Sequence, residues 1–162
     1  MPLVEPLRAQ AGGYTRAYPE NLYGETPHGA MAAQISALAE AAGTKHVTLH
    51  SVVGESGQGM VALRKGAAEA SVEGGTTGRA YAASMFEVAA ITRLARASGN
   101  SYGVAAIVMT HGETDAGNPA YEDELVQLWK DYNQDIARLT GQTENVPMIV
   151  SQHHAYGFTE GV

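Results

Sequence analysis

The chain has 162 residues, 44% of them hydrophobic and 17% charged, the proportions of a globular domain long enough to bury one core. A formal net charge of −7, with ten Lys and Arg scattered along the chain, argues against the clustered positive face that nucleic-acid binding needs. The absence of cysteine excludes disulfides, thiolate catalysis and cysteine-based metal sites.

No apolar run reaches the ~20 residues of a membrane helix, so no membrane partner is expected. The start, MPLVEPLRAQ, lacks the apolar core of a signal peptide. The expectation is a cytosolic protein, or one whose targeting segment lies outside these residues.

Residues 1–27 hold four of the six prolines and show no sustained period, which predicts an irregular N-terminal segment. Met31, Ile35, Leu38 and Ala42 then form a helical stripe closed by Gly43. His46 to Val53 reads as a strand, and the Gly-rich run Gly54–Gly59 follows it. A second helix carries Tyr81, Met85, Val88, Ile91 and Ala95 on one face and ends at Gly99. The strand Tyr102–Met109 leads directly into His111-Gly112-Glu113-Thr114-Asp115.

Asn118 as N-cap and Pro119 at the first helical position predict the start of a third helix. Its apolar face is Leu125, Leu128, Trp129, Tyr132, Ile136 and Leu139, and Gly141 closes it. Val146–Ser151 is the last strand, followed by His153 and His154. Tyr121, Trp129 and Tyr132 could form a sugar-stacking platform, but Trp129 and Tyr132 share the apolar face, and core packing is the simpler reading.

Alternating helices and strands predict a single α/β domain of three layers, α/β/α, with a parallel sheet. The segments after the strands, Gly54–Gly59, His111–Asn118 and Gln152–His154, then fall along one edge of that sheet. Ligand sites in open α/β sheets lie there, outside the carboxyl ends of the strands. A buried strand has no structural need for a His, a Glu and an Asp at its tip, so this edge is where chemistry is expected.

The Gly-rich run is not a phosphate cradle. Gly59 is followed by Met60 rather than by Lys and Ser/Thr, and its glycines are not spaced as in a dinucleotide fingerprint. A glycine whose backbone N–H approaches a developing negative charge fits better, one such donor being worth ~3 kcal/mol in a transition state. The His111–Asp115 cluster allows three roles. It could support acyl transfer, ligate a metal together with His153 or His154, or place Glu113 and Asp115 as caps on the following turn and helix.

The two segments resemble blocks II and III of the SGNH hydrolases, in the branch of sialate O-acetylesterases and carbohydrate acetylesterases. Gly54-Glu55-Ser56-Gly57-Gln58 is similar to block II, whose second glycine gives its N–H to the oxyanion, a role the resemblance carries to Gly57. His111-Gly112-Glu113-Thr114-Asp115 is similar to the Q-G-E-S-D form of block III. Ala62–Gly66 and Thr140–Gln152 also look like this branch, and the likeness spans about residues 22 to 155.

His111 stands where that branch has Gln, and Thr114 where the wider superfamily has an oxyanion-donating Asn. A neutral His N–H or a Thr O–H could supply the same donor. Ser56, Glu113, Asp115 and His153 are then expected to bind substrate or fix the loops.

The resemblance implies a flavodoxin-like SGNH fold and a serine esterase removing O-acetyl or other short acyl groups, with a saccharide or other small ester as substrate. It implies no metal or organic cofactor, and it leans toward a secreted or periplasmic setting. The nucleophilic Ser in a Gly-Asp/Gln-Ser context and the Asp-x-x-His of such enzymes do not occur in these residues. Glu25-Thr26-Pro27-His28 only imitates the acid-to-His spacing.

The expectation is therefore the central portion of a longer domain, with nucleophile and base outside this chain. A homo-oligomer or another chain would otherwise have to complete a narrow sheet. The alternatives are a non-catalytic carbohydrate-binding or structural module of the same fold, and a metal-dependent hydrolase using His111, Asp115 and His153 or His154.

Overall fold

A computed structural model describes residues 28–44, 47–53, 58–67 and 80–151. It divides into two compact units, 1–52 and 53–162. In the first, helix α1 (His28–Ala41) ends in the motif its glycine predicts. Gly43 has φ +70°, its N–H donates to Glu40 O at 2.9 Å, and Thr44 N–H donates to Ala39 O at 2.9 Å. The left-handed backbone lets two orphan carbonyls find donors, and glycine adopts it without steric cost. Leu38, expected on the buried stripe, is exposed instead.

Of the strand expected over His46–Val53, the described residues 47–53 join no ladder. Alternating apolar residues supply a face for a strand but not the neighbouring backbone that must satisfy its N–H and C=O groups.

The second unit contains helix α2 (Met60–Leu63), helix α3 (Ala80–Ala97), strand β1 (Ile107–Thr110), helix α4 (Tyr121–Thr140) and strand β2 (Met148–Ser151). The two strands pair in parallel, Ile107 with Met148 through Thr110 with Ser151. Mixed helix and strand with a parallel pair agrees with the expected class. Two strands are paired among the described residues rather than three.

Both strands are shorter than their β-branched runs. Val104 belongs to no ladder; the side-chain amide of Gln142 takes the place of a neighbouring strand. Val104 N–H donates to Gln142 Oε1 at 2.9 Å, and Gln142 Nε2 donates back to Val104 O at 3.2 Å. Asn133 does the same for Val146, accepting its N–H at 2.6 Å and donating to its carbonyl at 3.2 Å. Trp129 Nε1–H donates to that same carbonyl at 2.8 Å. Each strand is thus guided in by an amide whose donor and acceptor match one peptide unit.

Helix α4 begins at Tyr121, slightly later than Asn118 suggested. Asn118 still organises the entry, its Oδ1 accepting Ala120 N–H at 3.0 Å and its Nδ2 donating to Glu124 Oε2 at 3.0 Å. Glu122, Asp123 and Glu124 in the first turn and Arg138 in the last complement the helix dipole. Met60, Leu63, Ala80, Tyr81, Tyr121 and Leu128 form the core, with Met85, Met109, Leu125, Tyr132 and Met148 packed around it. A fully buried side chain of this size contributes about 1.5–3 kcal/mol. No helix among the described residues is long and apolar enough to cross a membrane.

Both ends of α3 are fastened to the C-terminal part of α4. Arg96 of α3 donates to the last carbonyls of α4, Leu139 O at 3.4 Å and Thr140 O at 3.1 Å. At the other end the buried Asp135 carboxylate accepts from Tyr81 Oη at 2.7 Å, Lys65 Nζ at 2.9 Å and Arg138 Nη2 at 3.2 Å. Burial by itself would raise this carboxyl, but the hydrogen bonds from Lys65, Tyr81 and Arg138 outweigh it and hold it below the usual range. The same carboxylate, after burial itself, pushes the Tyr81 phenol well above its ordinary value.

Lys65 and Arg138 keep much of their side chains in water, so the strong member of this set is the buried Tyr81 bond. A carboxyl whose folded pKa is depressed contributes stability above its unfolded value of about 3.9, and loses it as the pH falls. We expect Asp135→Ala to cost about 3 kcal/mol at pH 7. In urea unfolding of Asp135→Asn, the deficit against wild type should be clear at pH 7 and shrink toward pH 3. A deficit independent of pH would show that the carboxylate's charge contributes nothing.

Candidate functional site

The carboxyl end of β1 delivers the acidic segment to the 58–60 loop. Thr110 ends the strand, Gly112 turns the chain at φ +129°, and Asp115 and Asn118 close successive turns through Asn118 N–H to Asp115 O at 2.8 Å. His111 and Asp115 face back toward Gln58, Gly59 and Met60, more than fifty residues earlier in sequence.

The imidazole of His111 is nearly buried, its side chain 8% exposed. Its Nε2 lies 2.8 Å from Gln58 O and its Nδ1 3.0 Å from Tyr121 Oη. A carbonyl oxygen can only accept, so Nε2 carries the proton. In the neutral ring Nδ1 is then an acceptor, and Tyr121 O–H donates to it. Burial, and after it the charge of Asp115, raises the Tyr121 phenol, which keeps that proton in place around neutrality. The two rings lie almost parallel, 12° apart, with centroids at 5.5 Å.

Asp115 Oδ2 accepts Met60 N–H at 2.7 Å and lies 3.6 Å from His111 Nε2. The carboxylate therefore caps α2, a helix far upstream. Of the capping role the sequence allowed, this oxygen of Asp115 serves an upstream helix, while in the turn that follows the backbone carbonyls of Glu113 and Asp115 receive Ala116 N–H at 3.3 Å and Asn118 N–H at 2.8 Å. Charge-assisted capping at this length is stronger than a neutral cap.

Close approach of Asp115 explains Gly59. A β-carbon at that position would lie 3.1 Å from Asp115 Oδ1 and 3.3 Å from Oδ2. The backbone φ of −81° suits any residue, so space rather than conformation favours glycine here.

Of the residues singled out in the sequence, His111 and Asp115 come together on this loop. Glu113 and Thr114 are exposed on the turn between them. Ser56, Gly57 and His153, with Glu25 and His154, lie outside the described residues. The oxyanion role expected for His111 meets a geometric obstacle, because both its ring nitrogens already bind Gln58 and Tyr121. No group of three or more His, Cys, Asp or Glu among the described residues could hold a metal ion.

Tyr121 is 4% exposed and offers no sugar-stacking face, while Trp129 is half-buried with its N–H donated to Val146 O. The residue that sequence reasoning missed is Tyr121 as the partner of His111. Its only signal was a phenol beside a helix start, close in sequence to the histidine.

A groove of about 370 Å³ lies between the end of α2 and α4, lined by Arg64, Lys65, Glu124, Gln127 and Asp131 among others, and by none of the site residues. Compared with protein-family models, curated proteins and solved structures, the chain matches none.

The geometry predicts that Asp115→Ala costs about 1–2 kcal/mol through the lost cap. Gly59→Ala should cost a similar amount, although Ala suits the backbone there, because its methyl displaces the carboxylate. Urea unfolding with amide exchange at Met60 reads both, and an Ala at 59 that leaves Met60 protected would refute the steric account.

Proposed function

We propose that this chain is part of a serine esterase of SGNH type that removes O-acetyl or other short acyl groups, from a carbohydrate. The supporting observation is the direct bonding between two segments distant in sequence, Gln58–Met60 and His111–Asp115, at the carboxyl end of a parallel strand. That is the position at which open α/β sheets assemble ligand sites. On this reading the fold is the three-layer α/β/α arrangement, of which the β1–α4–β2 unit is one repeat.

The nucleophilic Ser and the Asp-x-x-His are supplied from outside these 162 residues. The Ser hydroxyl attacks the ester carbonyl and the His takes its proton, as in the general triad scheme. The oxyanion is stabilised by the backbone N–H of Gly57 and by Thr114, which is exposed on its turn. His111 and Asp115 hold the loop, and Ser56, Glu113 and His153 contact the substrate. No metal or organic cofactor is required.

One observation favours a second reading. His111 is saturated by protein partners, which suits a non-catalytic carbohydrate-binding or structural module of the same fold.

The test uses the protein as its natural source makes it, with both termini mapped. A product larger than 17.0 kDa that hydrolyses an aryl acetate, and carries a fluorophosphonate adduct on a serine beyond these residues, is expected. Activity should survive a chelator. A natural product of 17.0 kDa with neither adduct nor hydrolysis would leave the binding module.

A further inference from the structure

The strongest unexplained feature is that a nearly buried histidine is spent on one backbone carbonyl. Gln58 O accepts from His111 Nε2, and in a trans peptide the C=O and N–H point in opposite directions. Gly59 N–H is therefore turned away from His111. Among the described residues it has no acceptor, whereas the next amide, Met60 N–H, is consumed by Asp115. Gly59 itself is half-buried.

Resting on the esterase reading above, we propose that Tyr121 and His111 are positioning residues that fix the Gln58–Gly59 peptide, so that Gly59 N–H donates to the substrate carbonyl oxygen as it becomes an oxyanion. The order of the relay follows from the donors. Tyr121 O–H occupies Nδ1, which leaves the ring proton on Nε2, and Nε2–H holds the carbonyl. Neither side chain touches the substrate. Asp115 fixes the following peptide through Met60 N–H, so the two planes flanking Gly59 are held independently, one by the histidine and one by the carboxylate.

Such a donor acts on charge that exists only in the transition state, so its misplacement lowers kcat and leaves KM nearly unchanged. The chemistry of each partner sets the expected series. His111→Ala removes the donor to Gln58 O. His111→Gln restores an N–H and needs no tautomer. Tyr121→Phe leaves Nδ1 without its donor and lets the ring proton redistribute.

The experiment is steady-state hydrolysis of an aryl acetate by the intact natural protein and these three variants, with long-range ¹H–¹⁵N spectra of the His111 ring. His111→Ala should lose at least ~10-fold in kcat, with KM changed less than about twofold. His111→Gln should recover most of that loss. Tyr121→Phe should show a mixed tautomer and an intermediate kcat, and wild type a single Nε2–H tautomer.

If wild type hydrolyses the ester but His111→Ala keeps its kcat, the relay is refuted while the esterase reading stands. If His111→Ala and His111→Gln are equally impaired, or wild type shows the Nδ1–H tautomer, the relay is likewise wrong. A wild type that hydrolyses nothing overturns the esterase reading itself, and the proposal with it.

Discussion

Two parallel strands cannot be joined by a tight turn, and that constraint organises the unit from 53 to 162. Between Thr110 and Met148 the chain must travel the length of the sheet and return, and it does so as the 20-residue helix α4. Every other element is fastened to that crossover. Tyr81 and Arg96 bring α3 to it, Lys65 brings the end of α2, and Asn133 and Trp129 bring the approach to β2. Tyr121, its first residue, reaches back to the histidine at the end of β1. A helix selected by the topology of the strands has become the scaffold for the site as well.

Among the described residues, Asn133, Gln142 and Trp129 complete backbone pairing, and Asp135 and Arg96 fix one helix against another. Asn133 and Gln142 each bracket a single peptide, so the strands can be brief without leaving unpaired N–H and C=O groups where they enter the sheet. Asp135 gathers three donors on the buried side of α4, where a carboxylate with fewer partners would be costly. The arrangement trades a longer ladder for specific side-chain contacts, and those contacts favour one register: a slip of β1 would separate Val104 from Gln142, and a slip of β2 Val146 from Asn133.

The candidate site follows the same logic. His111 and Asp115 occupy the place where a reactive pair would be sought, but their bonds are directed at the backbone of the neighbouring loop. A histidine with both nitrogens engaged is a rigid strut rather than a mobile base, and an aspartate bound to an amide N–H is a cap. That division suits a site in which the chemistry is done by backbone donors and by groups from elsewhere, with these side chains holding the donors still. It also explains why the segment reads as catalytic from its composition: positioning and catalysis draw on the same residue types.

Local patterns carried much of the architecture. The faces of α3 and α4 and the closing glycines Gly43, Gly99 and Gly141 follow from spacing and from the left-handed backbone that glycine adopts freely. The parallel pairing of β1 and β2 follows from the helix between them. What failed was whatever required a partner. The run from 47 to 53 has the alternation of a strand and joins no ladder, and Val104 has a strand's residue type but is paired by a glutamine side chain. Asp115 caps a helix 55 residues upstream rather than the one that follows.

Periodicity records which side of an element is apolar, because burial acts on each residue by its own chemistry. It holds no record of which distant donor meets which acceptor. The pairing of His111 with Tyr121 and Gln58 depends on where β1 ends relative to α4 and the 58–60 loop, and that is settled only when the chain has packed.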